Sequence, residues 1–179
     1  ALREGRPLPP RGEGPYISRL NDVAKAPHSL FTFIPPDDSA RGAGRWPWLT
    51  MTNYFETNPD FFTLWETGQR VRNRQLCFSN PALREELTRN VLTTIRHLGE
   101  PCILSVGAED SPGRFCLCGG CAALEAKHGS VGGPLYDCLL ELCALLAERH
   151  PGVLVHTLAY RRAQTQKPPV LPEGRTLPP

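Results

Sequence analysis

The sequence lacks a long apolar run, an excess of one charge and a glycine-rich dinucleotide-binding motif. Its 20 basic and 18 acidic residues leave a formal charge of +2, a balance that does not predict nucleic acid as a partner. A membrane span needs about 18 uncharged apolar residues. The best candidate segment, from Leu139 to Ala147, is short and contains Glu141. We therefore expect no nucleic acid partner and no membrane span. Outright disorder is also excluded, because 40% of the residues are hydrophobic.

The sequence also lacks a recognisable signal peptide and begins at Ala1 rather than at a methionine. We therefore expect that an N-terminal part is missing, and the compartment stays open. Proline is abundant, at 19 residues, and crowds both ends of the chain. Such segments favour extended, poorly packed backbone. We expect Pro-rich connections at residues 1–26 and 168–179, and a folded part at 27–167.

Short apolar runs alternate with helical patterns in the folded part. The runs predict strands at 29–34, 73–78, 102–107 and 153–158. A short helix is predicted at 59–65, where Pro59 follows the capping residue Asn58. A long amphipathic helix is predicted between Asn80 and Gly99, and an apolar helix after Pro134.

The alternation of strands and helices indicates parallel strands joined by crossover helices. A doubly wound sheet and a piece of a (β/α) barrel both have this pattern. No Gly-x-Gly-x-x-Gly follows a predicted strand, which argues against the dinucleotide-binding version. About four strands cannot close a barrel that needs eight. We therefore expect an α/β fold that forms part of a (β/α)8 barrel, with the remainder of the same barrel as its partner.

Two adjacent carboxylates, Glu109 and Asp110, follow the predicted strand at 102–107. In parallel α/β folds this end of the strands is where the chemistry takes place. A carboxyl there acts as a general acid if burial raises its pKa, or as a charged stabiliser if it stays ionised. Because adjacent residues leaving a strand point to opposite sides, we expect one to face the site and one to pack behind it. The alternative is a structural loop carboxylate that caps the next helix or pairs with Arg114.

Cys116, Cys118 and Cys121 form a Cys-x-Cys-x-x-Cys motif in the loop that follows. Three thiols at this spacing suit tetrahedral zinc, with Cys77 or His128 as the fourth ligand. Ligation by several cysteines favours a structural metal over a catalytic one, so we expect a structural zinc ion and no cofactor for catalysis. Disulfide bonding in an exported protein and buried free thiols are the alternatives.

Five blocks of the sequence, taken in order, resemble a known family. They are His28 before a strand; Asn58–Phe62 followed by Gly68; Gln75–Cys77 followed by Asn80–Pro81; Ser105–Val106 leading to Asp110 and the three cysteines; and Thr157–Tyr160 followed by Pro168–Pro169. Together these blocks resemble the uncharacterised-domain family found in bacterial glycan-degrading proteins, which is distantly related to α-glucuronidases. The resemblance covers about residues 28–169.

The resemblance implies a larger (β/α)-barrel glycoside hydrolase domain that acts on an oligosaccharide outside the cytoplasm. One branch of the family consists of endo-β-N-acetylglucosaminidases that act on complex N-glycans. By analogy the mechanism is retaining and substrate-assisted, an exception to the scheme with two enzyme carboxylates. The 2-acetamido oxygen of the substrate attacks the anomeric carbon, one carboxyl protonates the leaving oxygen, and another orients the acetamide. A partial barrel is expected to be inactive alone.

The resemblance also assigns candidate site residues. Asp110 matches the acidic position after the strand and is the first candidate for a catalytic carboxylate, with Glu109 as the second acid. His28, Asn58 and Tyr160 are candidates for substrate binding. The family usually shows His-Pro-Glu where this chain has Asn58-Pro59-Asp60, so one histidine that would bind substrate is missing. A non-catalytic carbohydrate-binding or scaffold domain and a zinc-organised interaction module are the alternative functions.

Overall fold

A computed structural model of the chain describes residues 28–38, 46, 48–50, 53–111, 115–160, 167 and 170. The predicted connection at 1–26 lies outside these ranges, as does most of the one at 168–179. The described elements are, in chain order, α1 (Leu30–Phe33), α2 (Tyr54–Thr57), a 3₁₀ turn (Pro59–Phe61), β1 (Phe62–Leu64), β2 (Arg70–Leu76), α3 (Pro81–Leu98), β3 (Cys102–Ser105), α4 (Gly119–His128), α5 (Gly133–Arg149) and β4 (Val153–His156).

The described strands form two sheets of two strands each. β3 and β4 pair in parallel, with Cys102 opposite Val153 and Ser105 opposite His156. The chain between them forms α4 and α5, which is the crossover connection that parallel strands require. β1 and β2 pair antiparallel. The described residues contain no closed barrel, and the partial (β/α)8 barrel stays a prediction.

The predicted strand at 29–34 is wrong, because Leu30–Phe33 forms the short helix α1. Leu30 and Phe33 of this helix are buried in the core. The segment therefore has the mainly apolar composition of a buried strand. Asn90 of α3 donates to the backbone oxygen of Phe33 at 2.9 Å, and Ser29 O accepts the hydroxyl of Thr32. These contacts stabilise a helical turn in a segment that local pattern alone assigns to a strand.

The segment predicted as a helix at 59–65 is only partly helical. It forms a 3₁₀ turn and then continues as strand β1 from Phe62. Thr63 explains the change, since its buried hydroxyl lies 2.8 Å from the backbone oxygen of Gln75 and 2.7 Å from that of Phe115. The predicted strand at 73–78 exists but is displaced toward the N-terminus, as β2.

The predicted long helices are confirmed. Asn80 caps α3 by accepting hydrogen bonds from the backbone N–H groups of Ala82 and Leu83. Gly99 ends α3 with a φ of 73°, which favours glycine. α5 has a proline in its first turn, as the sequence predicts. Within the described ranges no single helix has the length and apolarity of a membrane span, although the bent pair of α4 and α5 together meets those two criteria.

The end of β2 is tied to the segment that follows β3 by one buried side chain. Gln75 is completely buried. Its amide donates to the backbone oxygen of Glu109 at 2.6 Å and accepts from the backbone N–H of Glu109 at 3.0 Å. The Gln75 side chain therefore pairs with this backbone as a neighbouring strand would, and it fixes the position of Glu109.

Candidate functional site

Glu109 provides a buried carboxyl shortly after the end of β3. Its side chain is nearly enclosed, with 9% of the residue exposed. The Oε1 atom accepts the backbone N–H of Phe31 at 2.8 Å. Burial raises the pKa of Glu109 to about 7, against the opposing effects of the Phe31 hydrogen bond and nearby His28. A carboxyl in this state holds a proton up to neutral pH and is suited to general acid catalysis.

His28 and Tyr160 pack together beside the same segment. Their rings meet edge to face, with centroids 5.1 Å apart. His28 Nδ1 donates to the backbone oxygen of Ala108 at 2.7 Å, which fixes the ring next to Glu109. Tyr160 follows β4 and is half exposed. The structure thus brings His28 and Tyr160 to the carboxyl ends of β3 and β4, together with Glu109.

Asp110 and Asn58 have different surroundings from Glu109, His28 and Tyr160. Asp110 is exposed, whereas Glu109 is buried, and the charge of Asp110 contributes to the raised pKa of Glu109. Asn58 begins the 3₁₀ turn and accepts the hydroxyl of Thr57 at 2.8 Å. In the part of the chain that the structure describes, no hydrogen bond joins Asn58 to His28 or Glu109. The predicted alternative partner of these carboxylates, Arg114, lies outside the described residues.

Asp110 lines an open groove that follows β2 and has a volume of about 630 Å³. We call it the β2 groove. Its lining consists of Arg70, Val71, Arg72, Asn73 and Arg74 along β2, with Phe55, Asp110 and Ser111 around them. The three arginines were not predicted as site residues, since alternate charged residues in a strand resemble an ordinary solvated face. The sequence signal that could have identified them is their spacing of two residues, which places them on one face of a strand.

Four cysteine sulfur atoms form a second candidate site. The Sγ atoms of Cys77, Cys116, Cys118 and Cys121 all lie within 4.8 Å of one another. Cys77 Sγ is 3.5 Å from Cys118 Sγ and 3.9 Å from Cys121 Sγ. Four ligands at a Zn–S distance of about 2.3 Å in a tetrahedron are about 3.8 Å apart. The observed separations lie on either side of that value, so these cysteines could hold a metal ion.

Three structural elements place the thiols of this cysteine cluster. Cys77 follows β2, and Cys118 caps α4 by accepting the backbone N–H of Cys121 at 3.4 Å. Cys116 Sγ accepts the backbone N–H of Leu64 at 3.3 Å and Arg70 Nη1 at 3.6 Å. A metal ion in the cluster would therefore tie the loop after β3 to the β1–β2 hairpin.

The cluster favours the thiolate form, which binds metals, at Cys77, whereas hydrogen bonds with Cys116 and Cys77 and burial raise the pKa of Cys121, and the pKa of Cys116 is also raised. Hydrogen bonds from the thiols of Cys116 and Cys121 hold the pKa of Cys77 well below its ordinary value, against the opposing effect of burial. Cys118 is half-buried, whereas the other three cysteines are buried. The site therefore opens toward solvent at one ligand.

His128, the alternative fourth ligand, does not belong to this cluster. It is completely buried, and both of its ring nitrogens have other partners. Nε2 lies 2.7 Å from a carboxylate oxygen of Asp137, and Nδ1 donates to the backbone oxygen of Val170 at 2.8 Å. Cys77 takes the fourth position instead, as the other alternative predicted. The seven cysteines form no disulfide.

Comparison with known proteins identifies a family. The family model described as "Domain of unknown function (DUF4838)" matches residues 35–175. Searches of curated proteins and of solved structures found no match. The matched range includes both candidate sites except His28, which precedes it. Because the family model covers well over half of the sequence, the chain belongs to the DUF4838 family, an uncharacterised domain family.

Proposed function

We propose that this chain is part of a glycan-hydrolysing (β/α)-barrel domain whose active site lies at the carboxyl ends of β3 and β4. The observation that carries the proposal is the buried Glu109 carboxyl, which has a raised pKa and lies beside His28 and Tyr160. The parallel pairing of β3 with β4 through the crossover of α4 and α5 supports a barrel segment. The resemblance to glycan-degrading proteins supplies the substrate class, β-N-acetylglucosaminide linkages in complex glycans.

Glu109 is the residue best suited to give up a proton in the substrate-assisted mechanism. The acetamido oxygen of the sugar attacks the anomeric carbon, and the glycosidic bond breaks as Glu109 protonates the leaving oxygen. The resulting Glu109 carboxylate then takes a proton from the water that opens the cyclic intermediate, which restores the acid. Asp110 is the candidate for the second carboxylate, and the exposed ring of Tyr160 provides an apolar face for a sugar.

Hydrolysis of a panel of N-acetylglucosamine-containing glycans by the protein in its full natural length tests this proposal. We expect Glu109→Gln to lower the rate by a factor on the order of 100 or more, as is typical for loss of a general acid. Asp110→Asn tests the second carboxylate in parallel. Glu148→Gln, on the exposed face of α5, is the matched control and keeps full activity. Wild-type binding of the glycans without hydrolysis would favour the carbohydrate-binding alternative.

We further propose that the cysteine cluster binds one structural zinc ion, which the four convergent thiols support. Metal analysis of the purified protein is expected to give one zinc per chain, and Cys116→Ser removes it. Cys143→Ser is the matched control, because Cys143 is half-buried on α5 outside the cluster. The zinc site is contradicted if the protein folds normally without metal. It is also contradicted if two of these cysteines are oxidised to a disulfide in the purified protein. Zinc without any glycan hydrolysis or binding favours the interaction-module alternative.

A further inference from the structure

The hydroxyl of Ser79 lies among the sulfur atoms of the cysteine cluster. Its Oγ atom is 3.3 Å from the Sγ atoms of both Cys118 and Cys121. The Sγ atom of Cys77 is 3.6 Å from it. Four thiols already complete the tetrahedral site that structural zinc needs. The hydroxyl is therefore an additional polar group beside the ligands, and the zinc site proposed above does not use it.

The backbone around Ser79 fixes the position of this hydroxyl. Ser79 is half-buried in the turn between β2 and α3. The backbone N–H of Asn80 closes this turn by donating to the backbone oxygen of Cys77 at 2.9 Å. The side chain of Asn80 in turn caps α3. Ser79 is thus held in the same short turn that carries Cys77.

Gly120 leaves the space that the Ser79 side chain occupies. A Cβ atom added at Gly120, in the first turn of α4, would lie 2.7 Å from Ser79 Oγ and 2.8 Å from Ser79 Cβ. Atoms that are not bonded prefer separations of about 3.5–4.0 Å, so an alanine at this position would displace the serine side chain. A Cβ atom at Gly119 would meet nothing within 4 Å among the described residues beyond its own stretch of the chain. Gly120 therefore permits the close contact, and Gly119 offers a matched comparison.

The direction of the Ser79 hydrogen bond must change when a metal ion binds. In this structure the Cys121 thiol donates to Ser79 Oγ. A cysteine that coordinates zinc is a thiolate and has lost this proton, whereas a serine hydroxyl has one proton to donate. In the metal-bound state the hydroxyl therefore donates to sulfur. Cys116 accepts from Leu64 N–H and Arg70 Nη1 in the same way, and such bonds stabilise the negative charge of the ligands.

We propose that Ser79 is a positioning residue of the zinc centre, whose hydroxyl donates a hydrogen bond shared by the thiolates of Cys118 and Cys121 and so strengthens zinc binding. Gly120 makes room for this contact. The inference rests on the zinc site proposed above and adds to it two residues outside the four cysteines. A partner of this kind orients a ligand and lowers its charge density, and its loss typically weakens metal binding by about 10- to 100-fold.

The zinc affinity of the full chain, measured by competition with a chelator of known affinity, tests the proposal. We expect Ser79→Ala to weaken zinc binding by about 10- to 100-fold, because the thiolates lose this donor. Ser130→Ala is the matched control, since the buried Ser130 hydroxyl donates to the backbone oxygen of Lys167, outside the cluster. It leaves the zinc affinity unchanged. Circular dichroism checks that every variant is folded.

Cobalt(II) in place of zinc separates a hydrogen bond to sulfur from a general structural effect. Such a bond stabilises the lone pairs of the thiolate, so its loss moves the thiolate-to-cobalt charge-transfer band to longer wavelength. We expect this shift in Ser79→Ala, and also in Gly120→Ala, where the added Cβ atom displaces the hydroxyl. Gly119→Ala is the matched control and keeps the wild-type band and the wild-type zinc affinity.

Three results would overturn the proposal. They are a zinc affinity of Ser79→Ala within about twofold of the wild type, an unchanged cobalt band in that variant, and equal effects of Gly119→Ala and Gly120→Ala. A wild-type protein that binds neither metal refutes the zinc site together with this inference. A wild type that binds one zinc ion, with an affinity that does not depend on the hydroxyl, refutes the role of Ser79 alone.

Discussion

The buried carboxyl of Glu109 makes the stability of the protein depend on pH in a defined direction. Its pKa is raised from an ordinary value of 4.5 to about 7. Between these two values the folded state keeps a proton that the unfolded state has lost, so stability falls as the pH rises through this window and levels off above it. A difference of about 2.5 pKa units at about 1.4 kcal/mol each corresponds to about 3 kcal/mol.

Glu109→Gln removes this dependence while it keeps an oxygen that accepts the Phe31 N–H. We expect the variant and the wild type to unfold with similar free energies near pH 4.5. Above pH 7 the variant gains up to about 3 kcal/mol over the wild type, because it no longer buries a charge. Urea denaturation followed by fluorescence at a series of pH values measures the difference, and Glu148→Gln is the surface control. A difference that stays constant across the range, or that shrinks as the pH rises, refutes the reasoning.

Three further predictions concern the elements that position the site. Gln75→Ala leaves the buried N–H and oxygen of Glu109 unpaired and is expected to cost about 2–5 kcal/mol in the free energy of urea unfolding; a loss below 1 kcal/mol contradicts the role given to this side chain. Asn80→Ala removes the cap of α3 and costs about 1 kcal/mol, whereas Asn73→Ala on the exposed face of β2 changes the melting temperature little. Leu104→Ala opens a cavity in the fully buried part of β3 and costs about 2–5 kcal/mol in the same urea experiment, and a smaller loss shows that the core closes around it.

Much of the fold was predictable where the signal is local. The helices α3 and α5 carry capping residues, prolines and apolar stripes within their own segments, and β3 and β4 are short apolar runs. Segments stabilised by distant partners were not predictable in this way. Leu30–Phe33 is helical although its residues are those of a strand, and Phe62 begins a strand because it pairs across the chain with β2.

The two candidate sites also differ in how much of their sequence signal is local. The spacing of Cys116, Cys118 and Cys121 indicates a metal site on its own, and Cys77 was a candidate because it lies at the C-terminal end of a predicted strand. The raised pKa of Glu109 depends instead on enclosure by residues such as Phe31, which is 78 positions away in the chain. Sequence could therefore name the two carboxylates but could not say which one is buried.

The central claim is that Glu109 is the proton donor. The most direct test is the pH dependence of kcat/KM for hydrolysis of an N-acetylglucosamine-containing glycan by the protein in its full natural length. The rate is predicted to fall about tenfold per pH unit above about pH 7, as Glu109 loses its proton. In Glu109→Gln the residual rate no longer shows this fall. Three results would contradict the account. They are a wild-type rate that is unchanged from about pH 5 to about pH 9, the same fall of the rate with pH in Glu109→Gln, and no hydrolysis of any glycan.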